Sequence, residues 1–189
     1  MFFLPRLTST VTSSPKYDGK TFYMLATAAT DDRDEALLLA TDAKSRGGAG
    51  FIYNDGSYRI IAAAYERESD AKTLVSVNAN SYYFPLSVPT ADLSDNDISL
   101  LDYLTGEWFA TAHTAANERD RGNITDAAAE YAVAKACAEL SRRASDGSSL
   151  LAQEIARAAE FSVPQNYTVL GYIRYIQISV IVAAHNALS

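Results

Sequence analysis

The residues able to do chemistry in this chain are few. There are two histidines, His113 and His185, and one cysteine, Cys137. A single cysteine excludes an intramolecular disulfide and a cysteine-based zinc site. Asp102, Glu107 and Trp108 lie near His113 in sequence, but no ligand stands four residues away on the same helix face, so His113 reads as a packed histidine. His185 falls near a helix C-terminus, where a cation suits the dipole. Cys137 lies between alanines and reads as a small buried apolar group. Asp31, Asp32, Asp34 and Glu35 crowd a helix start, where acids serve as cap and dipole partners rather than as a metal site. No serine or threonine sits in a nucleophile elbow and no glycine-rich phosphate loop follows a strand. The residue types therefore predict no catalytic site, metal or cofactor, and a small hydrolase with an unrecognised site is the least favoured class. What remains suits binding: Arg59 as a donor, and Tyr53, Tyr58, Tyr82, Tyr83 and Phe84 as stacking surfaces or cross-strand pairs.

The chain that must position them has 189 residues, 48% of them apolar and 21% charged, enough for a core without staples. Sixteen basic against 23 acidic residues give a net charge of −7, which argues against a nucleic-acid partner. Residues 1–20 read as a segment apart. Met1–Leu7 (MFFLPRL) is either the end of a membrane span that starts upstream or a plain terminus, and the Ser/Thr-rich stretch after it suits a solvated linker. The apolar run near the C-terminus contains Arg174, Gln177, His185 and Asn186, and so reads as a packed helix rather than a span.

Residues 21–93 alternate strand and helix patterns. Strands are expected over 21–29, 49–53, 58–65 and 82–88, and helices over 31–46 and 67–78. Asp31 or Asp32 caps the first helix, whose stripe is Ala36, Leu39, Ala40 and Ala43. Asn54-Asp55-Gly56 is a hairpin turn. A faint repeat aligns Tyr23–Ala36 with Tyr58–Ala71, each a strand, an acidic cap and a helix opening on alanine. The order β-α-β-β-α-β predicts an α+β split β-α-β plan, ferredoxin- or RNP-like: a four-stranded antiparallel sheet with both helices on one face. Residues 94–189 read as a helical domain, with breaks at 121–123 and 146–147 and a last helix opening at Ser162 and Pro164.

Two segments carry a family resemblance. Tyr58-Arg59-Ile60-Ile61-Ala62-Ala63-Ala64-Tyr65, followed by Ala71, resembles the second strand–turn–helix signature of the SPOR domain, a bacterial module of about seventy residues. Met24-Leu25-Ala26-Thr27-Ala28-Ala29-Thr30, followed by Ala36, resembles the first. Gly48–Gly56 looks like the family's second strand and hairpin. The resemblance covers residues 21 to about 90. It implies a non-catalytic envelope module whose sheet face binds peptidoglycan glycan strands lacking stem peptides, in cell division or sporulation. It further implies an extracytoplasmic location with an anchor preceding the domain. Envelope or divisome proteins, and a second copy through the C-terminal helices, are the other candidate partners.

The glycan-binding positions carried over are Arg59, Ser57, Ala26 and Ala29, with Tyr83 as a candidate platform. Only Arg59 keeps the family residue. Ala26 stands for a glutamine, Ala29 for a small polar residue, Ser57 for an aromatic, and Ala28 and Ala63 for glycines. Period-two alternation would put Arg59, Ile61 and Ala63 on one face with Met24, Ala26 and Ala28, a small apolar face suited to close packing. Two expectations follow: glycan affinity is weak or lost, leaving an interaction or assembly module, and this face is covered by the C-terminal helices or by a second subunit.

Overall fold

The computed structural model describes residues 15–77 and 80–189. The anchor and most of the linker reading lie outside the described residues. The elements run β1 (Lys16–Tyr17), β2 (Lys20–Thr30), α1 (Arg33–Ser45), β3 (Phe51–Asn54), β4 (Tyr58–Tyr65), α2 (Glu68–Val77), β5 (Tyr82–Val88) and β6 (Ala91–Asp92). Then follow α3 (Asp95–Tyr103), a π-helical turn (Leu104–Trp108), α4 (Phe109–Asp120), α5 (Asp126–Ser145), α6 (Leu150–Ala158) and α7 (Val169–Leu188). The class is α+β. The larger sheet is antiparallel throughout, in the order β3-β4-β2-β5.

Local chemistry explains most boundaries. Asp32 caps α1 by accepting from the Asp34 and Glu35 amides at 2.7 and 3.1 Å. Ala36, Ala40 and Ala43 form its buried stripe, with Leu39 half-buried at the side. The Gly56 amide donates to Asn54 Oδ1 at 3.0 Å, closing the hairpin as expected. Ser94, Thr125, Ser149 and Thr168 cap α3, α5, α6 and α7 in the same way.

Four expectations need correction. Residues 16–20 are not linker: β1 pairs with β6 in a second, two-stranded sheet, and Tyr17 is buried with its hydroxyl on Thr105. Apolar Tyr17 outweighed the polar residues around it. The last helix opens at Val169 rather than near Ser162, because Thr168 supplies the cap and the Pro164–Tyr167 stretch forms a turn. The run from α3 into α4 contains the π turn, one extra residue that the 3.6-residue periodicity does not show. The alternation in the sheet is also broken. Leu25 pairs with Ala63, Ala26 with Ile61 and Ala28 with Ile60, so Ala62 and Thr27 are extra residues, one in each central strand. Each bulge reverses the phase. Ala63 therefore packs with Leu25 and Ala71 against α2, and Ala28 packs with Ile60 against α1. Met24 and Ile61 stay on the opposite face.

That opposite face is covered by the C-terminal helices. Phe22, Met24, Ile61, Ala64, Leu86 and Val88 share one cluster of buried side chains with Trp108, Phe109, Ile173, Ile176 and Val180. Phe22 and Phe109 rings meet at 4.7 Å. α7 crosses the sheet obliquely. Gly171 at its start lies 3.0 Å, measured from an added Cβ, from the Gly48 carbonyl. His185 near its end lies 2.7 Å from the Ser87 carbonyl through Nδ1. The boundary expected at 93 falls between β6 and α3, and a single core runs across it.

A candidate saccharide-binding corner

Because α7 crosses obliquely, one corner of the sheet lies beyond it. Strand register sets what stands there. Tyr53 of β3 is opposite Arg59 of β4, which is opposite Ala29 of β2. In the next row Ile61, Ala26 and Tyr82 are neighbours. Phe84 follows on β5, opposite Met24. Tyr53, Arg59, Tyr82 and Phe84 are all half-buried, Ala29 is exposed and Ala26 is fully buried.

The two alanines make a low floor, and this lets rings from the outer strands meet above the inner ones. Tyr53 and Phe84, on the two edge strands with β4 and β2 between them, stack at 6.0 Å with 25° between planes. Tyr82 lies 6.4 Å from Phe84. The Arg59 guanidinium sits over Phe84 at 5.0 Å and Tyr82 at 5.8 Å. Its Nε donates to both Asp55 oxygens at 2.8 and 2.9 Å, and its Nη1 donates to the Tyr82 hydroxyl at 3.3 Å. The head group is thus fixed at one edge by the hairpin and at another by β5, while Nη2 has no partner among the described residues. Burial, then the Asp55 carboxylate, pushes the Tyr53 phenol above its usual value, against a smaller opposing effect of Arg59. The result is a ring-walled shelf with a fixed cation.

Of the positions carried over from the SPOR resemblance, Arg59, Ala26 and Ala29 come together here. Ser57 lies beside them in the hairpin, where its carbonyl accepts from the Asp55 amide at 3.4 Å. Tyr83 does not join them. Alternation in β5 sends it to the other face, where its hydroxyl donates to Glu68 of α2 at 2.7 Å and its ring meets Tyr23 edge-on. Tyr53, Tyr82 and Phe84 were visible in sequence only as scattered strand aromatics. Tyr53 is selected by its place opposite Arg59 across the hairpin, whereas Tyr82 and Phe84 are selected only by the β2–β5 register, which sets them opposite Ala26 and Met24.

The remaining chemical groups are committed to packing. His113 stacks on Phe109 at 5.7 Å and meets Tyr65 edge-on at 5.6 Å, and burial lowers its pKa. Burial pushes the Cys137 thiol up to about 11, against a smaller opposing effect of Trp108. Among the described residues no three His, Cys, Asp or Glu side chains gather to hold a metal ion. No described helix is long and apolar enough to cross a membrane. No family model matches the chain, and no curated protein or solved structure matches it either.

Proposed function

We propose that this chain is a non-catalytic binding module that holds a peptidoglycan glycan strand at the Arg59 corner. One observation carries the reading: a half-exposed arginine, fixed by Asp55 and Tyr82, lies among three rings above an alanine floor. A sugar ring offers an apolar C–H face to an aromatic wall and hydroxyl or amide oxygens to a guanidinium, which is the pairing that shallow polar–apolar sites recognise. The SPOR resemblance of residues 21–90 supplies the class of saccharide. It brings with it an extracytoplasmic site of action, in cell division or sporulation. Ala26 and Ala29 withhold two polar contacts, each worth about 1–3 kcal/mol when buried. Affinity is therefore modest.

A second reading is favoured by a different observation. α7 and α4 occupy most of the sheet face, with Met24 and Ile61 fully buried beneath them. A module that has given up this face to its own helices serves assembly with envelope proteins instead. Co-sedimentation with sacculi, native and stripped of stem peptides, separates the two. The glycan reading expects retention on stripped sacculi that Arg59→Ala and Tyr53→Ala abolish. Absence of retention on either form refutes it and leaves the assembly reading.

A further inference from the structure

The corner does not end at Tyr53. Phe51 lies two residues back on the same strand face, roughly 7 Å away along the strand. Its ring meets Tyr175 of α7 at 5.3 Å, and Tyr175 meets Tyr167 at 5.4 Å. All four rings are half-buried, which leaves part of each accessible. Among the described residues the hydroxyls of Tyr53, Tyr167 and Tyr175 have no hydrogen-bond partner, whereas Tyr172 behind them donates to the Glu160 carbonyl.

A cation closes the far end. The Lys44 ammonium lies 4.5 Å from the centre of the Tyr167 ring. It has no carboxylate partner among the described residues. Its position is built. Gly50, at φ +54°, leaves the space its stem fills: a Cβ there would stand 2.6 Å from Lys44 Cγ and 2.4 Å from the Ala40 carbonyl. Burial without a counter-charge lowers the Lys44 pKa, the state expected of an ammonium that lacks an anion. Elsewhere on this surface the cations are matched, Arg59 by Asp55 and Arg174 by Asp120.

We propose that Tyr53, Phe51, Tyr175 and Tyr167 extend the Arg59 corner into a strip for successive sugars, and that Lys44 binds the carboxylate of an acidic sugar in the same strand. This rests on the saccharide reading above. An unmatched ammonium framed by rings with free hydroxyls complements a sugar bearing a carboxylate better than it complements a neutral one. Hydrolysis of the amide that joins a stem peptide to its sugar leaves such a carboxylate behind. The strip thereby reads the stripped state directly.

The test measures affinity of the full chain for two soluble probes of equal length. One is glycan oligomers released from stripped sacculi, which carry carboxylates. The other is N-acetylglucosamine oligomers, which carry none. The expected result is about tenfold tighter binding of the first, the weight of one charge-assisted contact. Lys44→Gln removes this preference and leaves affinity for the neutral probe unchanged, Lys44→Arg retains it, and Arg59→Ala weakens both probes. Equal affinity of the unsubstituted chain for the two probes overturns the proposal, as does an equal loss on both in Lys44→Gln. If binding is intact and depends on Arg59 while Lys44→Gln is neutral, only the Lys44 subsite falls. If neither probe binds, the saccharide reading falls and this one with it.

Discussion

Replacing Ile61 by alanine tests whether sheet and helices are one cooperative unit. Ile61 is fully buried at the centre of β4, on the face that α7 and α4 cover. Truncating a buried isoleucine to alanine costs about 2–5 kcal/mol, the transfer term plus the cavity left behind. A backbone held by β2 and β3 on either side and a helix above leaves little room to collapse, so about 3–4 kcal/mol is expected. For a chain of this size each kcal/mol moves the melting temperature by roughly 2–4 °C, giving a fall of about 6–16 °C. The only tryptophan, Trp108, sits in the π turn on the helical side of residue 93 and is fully buried. Its fluorescence therefore reports the helical half, while the substitution lies in the sheet. One shared core requires that the Trp108 transition fall by the full amount and coincide with loss of far-UV signal. An unchanged Trp108 transition, with the sheet melting separately beneath it, would refute the shared core and restore two independent domains.

Asp32→Ala removes the cap of α1 and should cost about 1 kcal/mol, read as a melting temperature lower by a few degrees. Gly50→Ala forces a Cβ onto the Ala40 carbonyl at a left-handed φ; a destabilisation above about 1 kcal/mol is expected in denaturant melts, and an unchanged midpoint would contradict the packing described. Cys137 should resist thiol reagents at pH 8 in the folded chain and react at the rate of unfolding. Because the folded thiol has the higher pKa, its contribution to stability is complete below the unfolded value near pH 9 and is lost as pH rises toward about 11; Cys137→Ala should flatten that part of the stability profile relative to the unsubstituted chain.

The strand and helix order was legible because its signals are local. Asn54-Asp55-Gly56 names its own turn, Asp32 its own cap, and the apolar runs bounding them need no tertiary knowledge. Arg59 was singled out for the same reason, since the run Tyr58–Tyr65 resembles a signature strand, and its place opposite Tyr53 follows from the hairpin that the sequence names. The bulges at Thr27 and Ala62 were not: nothing in an alanine-rich strand marks which residue will be left unpaired, and one unpaired residue reverses every later inference about facing. Tyr83 stands one position of parity away from the Arg59 face, on which Tyr82 and Phe84 stand instead. The Lys44–Tyr167 contact joins residues 123 positions apart through the Gly50 opening, and no local pattern predicts it. Coverage of the sheet by α7 was foreseeable because a helix apolar on nearly every side must be buried somewhere.

The two alanines beneath the aromatic corner differ in what substitution can do to them. Ala26 is sealed between Ile61 and Tyr82 with no exposed surface, so a larger residue there must displace the core. Ala29, one row further out, is exposed beside Arg59 and can accept serine, asparagine or threonine at little cost in stability. Mutational routes to a new ligand preference are therefore channelled through a single site: the floor of the corner can be rewritten at Ala29, whereas Ala26 is held in place by the packing on which the whole chain depends.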